Sequence, residues 1–549
     1  MRFSFPPRLV YWAVVSLSRR ELLCGLLGAS LGVEACRREP RHIPGALRGA
    51  RLELGHRLLD ATHERVDGPA QRVSVLIVGA GPSGLSAAWR LSRLGIQDYL
   101  LLDLERLAGG TSASENDGVV PYPWGAHYVP LPRADNPELV RLLGELGAVR
   151  IDAAGHPEGI EAVRVRAPEE RLFIDGEWIE GLFPSSRAGA ADREELARFE
   201  REVARWVAYR DGAGRRAFNL PMRRCSDAAE VVALDKLSAA DWLTQNGFRS
   251  PLLRWYVEYA CRDDYGASLT TTSAWAMLFY FCARVGVSGE SAPFLTWPEG
   301  NGRVSGHLAR LAGDRLRLGR LVSDIAPGVE GVHVLALDER GRAEHYIADQ
   351  VIVAVPKFIA RRIVRPLRDG ADQLASFRYA AWIVANLHLS ERPRSRGFPF
   401  AWDNVLFDSP ALGYVVATHQ ALADFGPTVW TYYRPLWEKS ETESRRLLRG
   451  LDHATIAHSV VADLARAHQG LERHIERIDV YRWGHAMVTP APGFIWGGER
   501  LRAAEPIGRV VFAHSDLSGL PLLEEAFDRG LLAAEAVARQ RGLDFVATG

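Results

Sequence analysis

The stretch VSVLIVGAGPSGLSAAWRLSRLG, Val73 to Gly95, reads as an apolar strand, a glycine turn and a helix closed by Gly95. Its glycines recur as Gly79-x-Gly81-x-x-Gly84, and each position has its own physical duty. The first permits a tight turn, the second lets backbone N–H groups approach a pyrophosphate, and the third allows the helix to pack close to the strand. An anion held there rests on a helix N-terminus, where unpaired N–H groups and the macrodipole favour it. Alone, the pattern also fits an ordinary strand-turn-helix. The next segment decides between them, because Tyr99-Leu-Leu-Leu-Asp103 is a second strand whose terminal acid lies 24 positions after Gly79. A carboxylate there can accept both hydroxyls of a ribose, and the combination predicts an α/β unit that binds a dinucleotide.

Composition sets the outer limits. Of the 549 residues, roughly 480 remain behind an unusual N-terminal segment and the linker after it, enough for two or three domains with sizeable cores. Lys+Arg and Asp+Glu balance at 67 each, so no global field draws the chain onto nucleic acid. Only three basic residues are lysines: Lys236, Lys357 and Lys439. Past Cys24 and Cys36, the cysteines are Cys225, Cys261 and Cys282, spaced too widely for a disulfide framework or a metal site, so buried thiols are expected. No HExxH or CxxC pair occurs, and no metal is expected.

Further motifs follow the turn in order. Gly109-Gly110 comes six positions past Asp103, and Trp124-Gly125-Ala126-His127-Tyr128 lies beyond it. Near the C-terminus, RVVFAHSDLSGLPLLEEAFDRGLLAAEAVA, Arg509 to Ala538, reads as a strand, a turn carrying Asp516, and a helix. These pieces resemble the flavin-containing amine oxidases and their relatives, the protoporphyrinogen oxidases and phytoene desaturases. The middle agrees: Gly319-Arg-Leu-Val322-Ser-Asp-Ile325 is similar to the family's strand whose backbone meets the adenine, and Ala348 to Pro356 to its returning strand. A second glycine-rich run, Gly300-Asn-Gly302-Arg-Val-Ser-Gly306, follows Trp297-Pro298-Glu299 rather than a strand, and is expected to be a loop that opens a helix.

The resemblance implies a Rossmann-like, glutathione-reductase-like FAD-binding domain assembled from 72–150, 298–365 and 484–545, with an α+β substrate domain from 151–297 and 366–483. It implies that Gly79, Gly81, Ser83 and Gly84 cradle the pyrophosphate, that Asp103 holds the adenosine ribose, and that Val322 meets adenine. Gly109, Gly110, Gly125, Ala126 and His127 join the cofactor site, Asp516 the ribityl or pyrophosphate region, and the Leu523 N–H the flavin carbonyl edge. His514 stands where the family often has glycine, and no C-terminal cysteine is present for a thioether link, so FAD is expected to be non-covalent.

At the reacting end the chain departs from the amine oxidases. Their flavin-facing lysine has no counterpart on the segment Ala381 to Leu389, where Asn386 is the nearest polar substitute. Leu522 replaces the aromatic that many carry before the last helix; Trp483 does match a family tryptophan, and Phe494 or Trp496 could supply a cage wall. Asn386 and Trp483 are therefore the candidate catalytic residues. Flavin chemistry asks little more of side chains than placing a C–H bond, excluding water and tuning the ring. The run Cys261-Arg262-Asp263-Asp264-Tyr265-Gly266 is the densest polar cluster in an aromatic region; it fits either a substrate anchor or a capped turn with an internal Arg–Asp pair. His127 and His485 are candidates to titrate near neutral pH beside the flavin.

Three functions stay open on this basis: an FAD-dependent oxidoreductase that takes a hydride from an amine or C–H substrate, a desaturase- or porphyrinogen-oxidase-like enzyme for a large apolar substrate, and a flavoprotein that binds without turnover. The partner is a small-molecule substrate, and the electron acceptor is open among oxygen, quinone and a partner protein.

The chain begins with an export pattern. Ser18-Arg19-Arg20-Glu21-Leu22-Leu23 leads into a short apolar run and resembles the twin-arginine signal, a route that carries folded proteins. Val33-Glu34-Ala35-Cys36 resembles a lipoprotein cleavage box. Residues 1–36 are thus expected to be an export signal and 37–71 a linker, giving a periplasmic protein or one anchored to the membrane through the leader or a lipidated Cys36.

Overall fold

The computed structural model describes residues 42–59, 69–116, 120–286, 291–368, 375–421 and 425–548. The expected leader, with Arg19, Arg20 and Cys36, lies outside the described residues. Strand Gln71–Val78 becomes continuously apolar from Val75, and Val75–Val78 is buried on both faces, as a central parallel strand requires. Helix Pro82–Arg93 follows directly: Pro82 sets φ for the first turn, Gly81 precedes it in an extended conformation, and Gly95 leaves it at φ +80°.

Among the described residues this strand is central to a seven-stranded sheet. Its order is Leu316–Arg317, Tyr99–Leu102, Gln71–Val78, Ala343–Val353, Val332–Leu337 and Leu321–Pro327, with Val510–Phe512 also paired to Ala343–Val353. Tyr99–Leu102 and Ala343–Val353 run parallel to Gln71–Val78, and Val510–Phe512 parallel to Ala343–Val353, which is antiparallel to Val332–Leu337. One face carries helix Pro82–Arg93 and the last helix, Leu523–Gln540, over a core of Val75, Ile77, Leu85, Phe527 and Leu531. The two helices approach so closely that a Cβ on Gly530 would lie 2.2 Å from the Ser83 carbonyl oxygen. Arg90 pins them with a buried ion pair to Glu535 at 2.7 Å and a second to Glu138 at 3.3 Å; removing one partner of such a pair costs ~3–5 kcal/mol.

A second sheet, of eight strands among the described residues, has the order Leu47–Gly49, Ile475–Val488, Tyr379–Leu389, Thr428–Pro435, Gly413–Val416, Asp403–Leu406, Glu170–Ile174 and Glu177–Glu180. Strand Ile475–Val488 runs through residue 484, so the domain boundary expected there falls inside a strand of this sheet. Part of the expected linker is built in as well. Leu47–Gly49 adds a parallel edge strand, Ala46 N–H donates to Asp479 at 3.0 Å, and Arg48 pairs with the same buried carboxylate.

Helices Ala190–Ala208, Ala239–Gln245, Pro251–Tyr265 and Ala274–Cys282 pack beside this sheet around Phe199, Trp242, Trp275 and Phe279. Pro251–Tyr265 begins with Ser250, whose Oγ accepts from Leu253 N–H, and ends on Gly266 at φ +61°. Cys225, Cys261 and Cys282 are all buried as free thiols. The glycine-rich run at 300–306 opens helix Gly302–Ala312. From Pro44 onward these layers form one compact unit.

Candidate active site

The glycine turn has the shape of an anion cradle. Gly79 sits at φ +102°, and a Cβ on it would lie 2.5 Å from the Ala354 carbonyl oxygen. A Cβ on Gly84 would fall 1.8 Å from the Gly79 carbonyl oxygen, whereas one on Gly81 would enter open space. The first and third glycines thus serve packing, and the second faces the room that a pyrophosphate needs. Ser83, 2% exposed, has an Oγ without a hydrogen-bond partner; a buried hydroxyl left in that state calls for a ligand.

The other expected cofactor residues converge on this turn. Asp103 Oδ2 accepts from Ala80 N–H at 2.5 Å and Oδ1 from Glu105 N–H at 2.7 Å, while burial raises its pKa. Gly109 N–H donates to the Ala80 carbonyl at 2.8 Å, and Gly110, at φ +55°, faces Gly81. Ala126 N–H bonds to the Thr111 carbonyl at 2.9 Å, and Gly125 has no room for a side chain against the same oxygen. Arg320 N–H donates to the Asp103 carbonyl at 2.7 Å, and Val322 follows two residues later on strand Leu321–Pro327. These residues and this shape fit FAD.

Asp516 is turned inward. Its Oδ2 accepts from Lys357 N–H at 2.9 Å and Tyr379 O–H at 2.5 Å, and His514 Nδ1 lies 2.9 Å from Oδ1. His514 itself is extended, with φ −166°, so the residue that replaces glycine carries no backbone strain. Lys357, 2% exposed, holds its ammonium 3.5 Å from the centre of the Phe512 ring, and burial lowers its pKa to about 7.

Asn386 is not placed for catalysis. It is 0% exposed, its Nδ2 donates to the Pro123 carbonyl at 2.9 Å, and its Oδ1 accepts from Thr431 at 2.8 Å. With donor and acceptor both engaged, it ties the second sheet to the loop that leads into Trp124–Tyr128. Trp483 does reach that loop: its Nε1 donates to the Trp124 carbonyl at 2.7 Å and its ring stacks on Tyr481 at 4.1 Å. His485 stacks on Phe358, and burial depresses its pKa to about 4. Phe494 packs with Phe377, while Trp496 packs edge-on to Trp275 in the core shared with Leu522.

Aromatic rings of Trp124–Tyr128 pack against the second sheet and its neighbours. His127 stands 5.0 Å from Tyr433 and 5.2 Å from Trp402 between ring centres, and Tyr128 lies 4.5 Å from Phe294. Burial drops the His127 pKa to about 3, so it is neutral across working pH and cannot serve as the titrating group expected. Asp264 pairs with Arg284 at 2.8 Å, and the guanidinium lies over Tyr128 and Tyr280. Asp263 faces the Tyr280 hydroxyl at 3.5 Å, and Tyr259 O–H donates to Asp403 at 3.3 Å. Arg262, in contrast, reaches away to Trp437 and the Ser409 carbonyl.

Sequence reading had singled out Asp263 and Asp264 but missed Arg284, Asp403, Glu170 and Glu524. Tyr259 and Asp263, four apart on one helix face, were a visible hint. The others come from distant strands and a helix end, with no local signal.

Comparison with known proteins agrees with this architecture. A family model described as flavin containing amine oxidoreductase matches residues 82–538. The chain is similar to an L-amino acid dehydrogenase of Synechocystis sp., at 23% identity over 497 residues, covering 86% of this chain and 95% of that protein. In fold it is similar to putrescine oxidase bound to putrescine, with a TM-score of 0.62 at 19% identity, covering 86% and 100% of the two chains. Cyclohexylamine oxidase from Brevibacterium oxydans gives a TM-score of 0.61 at 17% identity, covering 86% and 99%. The cradle, the converging acid and glycines, and a match across most of the length lead to one conclusion: the chain belongs to the flavin-containing amine oxidoreductase family, an FAD-dependent oxidoreductase.

Proposed function

We propose that the protein oxidises an amine at the carbon bearing its nitrogen. Supporting this is the family match together with the buried aromatic cluster of His127, Tyr128, Phe294, Trp402 and Tyr433, which keeps water from the segment Trp124–Tyr128. FAD, held non-covalently by Gly79, Gly81, Ser83, Gly84, Asp103 and Gly110, supplies the hydride acceptor when bound. The substrate C–H bond gives up a hydride, the nitrogen loses a proton, and the imine left behind takes up water. His127, kept neutral by burial, and the rings of Tyr128, Trp402 and Tyr433 form a wall that can orient an amine, with the Arg284 charge beside Tyr128 offset by Asp264. An anaerobic visible spectrum, taken before and after adding amines, amino acids and apolar C–H donors, tests this. Bleaching of the oxidised flavin band by amines is expected, and a band that only apolar donors bleach would overturn the reading.

A second reading has one observation in its favour. A groove of about 480 Å³, lined by Phe183, Leu196, Phe199, Val203, Tyr256 and Phe281, would suit a large apolar substrate. The apolar arm of the same spectrum tests it.

We also propose export by the twin-arginine route, on the strength of Ser18-Arg19-Arg20-Glu21-Leu22-Leu23. Arg19→Lys with Arg20→Lys should retain flavin-loaded protein in the cytoplasm; normal export of that variant would refute the route.

A further inference from the structure

We propose that the groove along helix Ala190–Ala208 binds a long-chain carboxylate, its acyl chain on the helix and its head at Arg216, as a ligand that the flavin does not oxidise. This goes beyond both readings above and does not depend on amine oxidation. Leu196, Phe199, Val203, Ala204 and Val207 line the groove at the spacing i, i+3, i+7, i+8 and i+11, which is one continuous face of the helix. At about 1.5 Å per residue this stripe is about 16 Å long, room for an extended chain of on the order of a dozen carbons. Phe183, Tyr256 and Phe281 line the groove as well, and it holds about 480 Å³. Ala204 is exposed, so the groove opens to solvent, and no residue expected to hold the cofactor lines it.

One end of this apolar stripe carries an unanswered positive charge. Arg210 and Arg216 pair as an antiparallel bridge just past Ala208, which brings the Arg216 side chain into the lining. Arg216 is 5% exposed; its Nε donates to the Phe218 carbonyl at 3.2 Å and its Nη2 to the Cys282 and Val285 carbonyls at 3.2 and 3.1 Å, while Nη1 has no hydrogen-bond partner. No carboxylate among the described residues pairs with it. Asp135, the acid whose charge acts on it, is engaged by Arg133 at 3.6 Å and by the Asn219 amide at 3.0 Å. Burial, with the like charges of Arg133 and Arg210, lowers the Arg216 pKa to about 10, so the group stays charged at neutral pH. Arg210 covers the Val207 and Tyr209 carbonyls at the end of the helix, which reduces the partial negative charge an anion would meet there. Glu200, the acid in the lining, lies about two turns back along the helix. A buried guanidinium with donors unused and positive neighbours fits an anion, and a carboxylate can take both N–H groups of Nη1. A wholly apolar molecule would leave them unpaired.

Equilibrium dialysis of the flavin-loaded protein against radiolabelled tetradecanoate, octanoate and 1-tetradecanol, each below the concentration at which it aggregates, tests this. Tetradecanoate is expected to bind at least about tenfold more tightly than 1-tetradecanol, as a hydrogen bond to a charged group gives. It should bind at least about a hundredfold more tightly than octanoate, whose shorter chain buries less apolar surface. Arg216→Met should erase the preference for the acid over the alcohol. Ala204→Trp, at an exposed position on the helix, should weaken both by at least about tenfold, and it decides the matter where Arg216→Met fails to fold; melts and flavin content identify that case. Equal binding of acid and alcohol, or tetradecanoate binding that Ala204→Trp leaves unchanged, would overturn the inference. Anaerobic bleaching of the flavin by tetradecanoate would overturn it too, and would make the groove a substrate site.

Discussion

At the scale of single residues, Asn386 separates what a side chain resembles from what it does. Its amide satisfies the Pro123 carbonyl and the Thr431 hydroxyl inside a fully buried strand. Asn386→Ala should therefore lower stability by ~1–3 kcal/mol, the cost of stranding buried polar groups, and leave turnover per bound flavin within a few-fold of wild type. A thermal melt and a flavin-normalised rate check both halves. Lys357 gives a prediction with a pH sign. Burial lowers its folded pKa to about 7, while in the unfolded chain a lysine titrates near 10.4, so between these values the unfolded chain binds more protons. Stability of the apoprotein then gains from this group as pH rises through that window. Lys357→Met apoprotein should exceed wild type by on the order of 2 kcal/mol at pH 7, a margin that vanishes near pH 10; melts at both pH values measure it.

At the scale of elements, legibility followed locality. The strand, turn and helix of Val73 to Gly95 could be read because every duty of the three glycines is fulfilled within a few residues, and the last helix because its apolar face recurs with helical spacing. Asp103 was legible through its distance from the turn. Leu47–Gly49 was not, because a three-residue edge strand has no periodicity and owes its form to Val480 and Tyr481, over four hundred positions away. The polar contacts beside the aromatic cluster failed for the same reason: Arg284 finds Asp264 across a helix pair, and Asp403 finds Glu170 across a strand pair. The edge strand is testable. A chain starting at residue 51 loses the Arg48–Asp479 pair and the bonds from Ile478 and Val480 N–H to Pro44 and Ala46, leaving the buried Asp479 carboxylate short of partners. Its Tm should fall by several degrees against a chain starting at residue 42, consistent with a loss of ~2–4 kcal/mol.

At the scale of the whole molecule, one compact unit contains both sheets, and the residues expected to hold the cofactor run from Gly79 to Leu523. Binding to such a site stabilises everything it spans. At a free FAD concentration of about a thousand Kd, ligand linkage adds about 4 kcal/mol. Stripping the flavin should lower the Tm of the entire unit in a single transition, and adding FAD back should restore it; a melt in which only part of the unit responds would contradict this account.

The close crossing of helices Pro82–Arg93 and Leu523–Gln540 also fixes a sequence of events in time. The first helix leaves the ribosome more than four hundred residues before the one that covers it, so a nascent chain carries the glycine turn without its lid, its Arg90–Glu535 pair or its Val510–Phe512 strand. Long-range closure of this kind is slow, and its apolar surfaces stand open meanwhile. Nucleotide capture is thus expected to wait for the last helix, and a chain cut before Leu523 should emerge as apoprotein, which its visible spectrum would show.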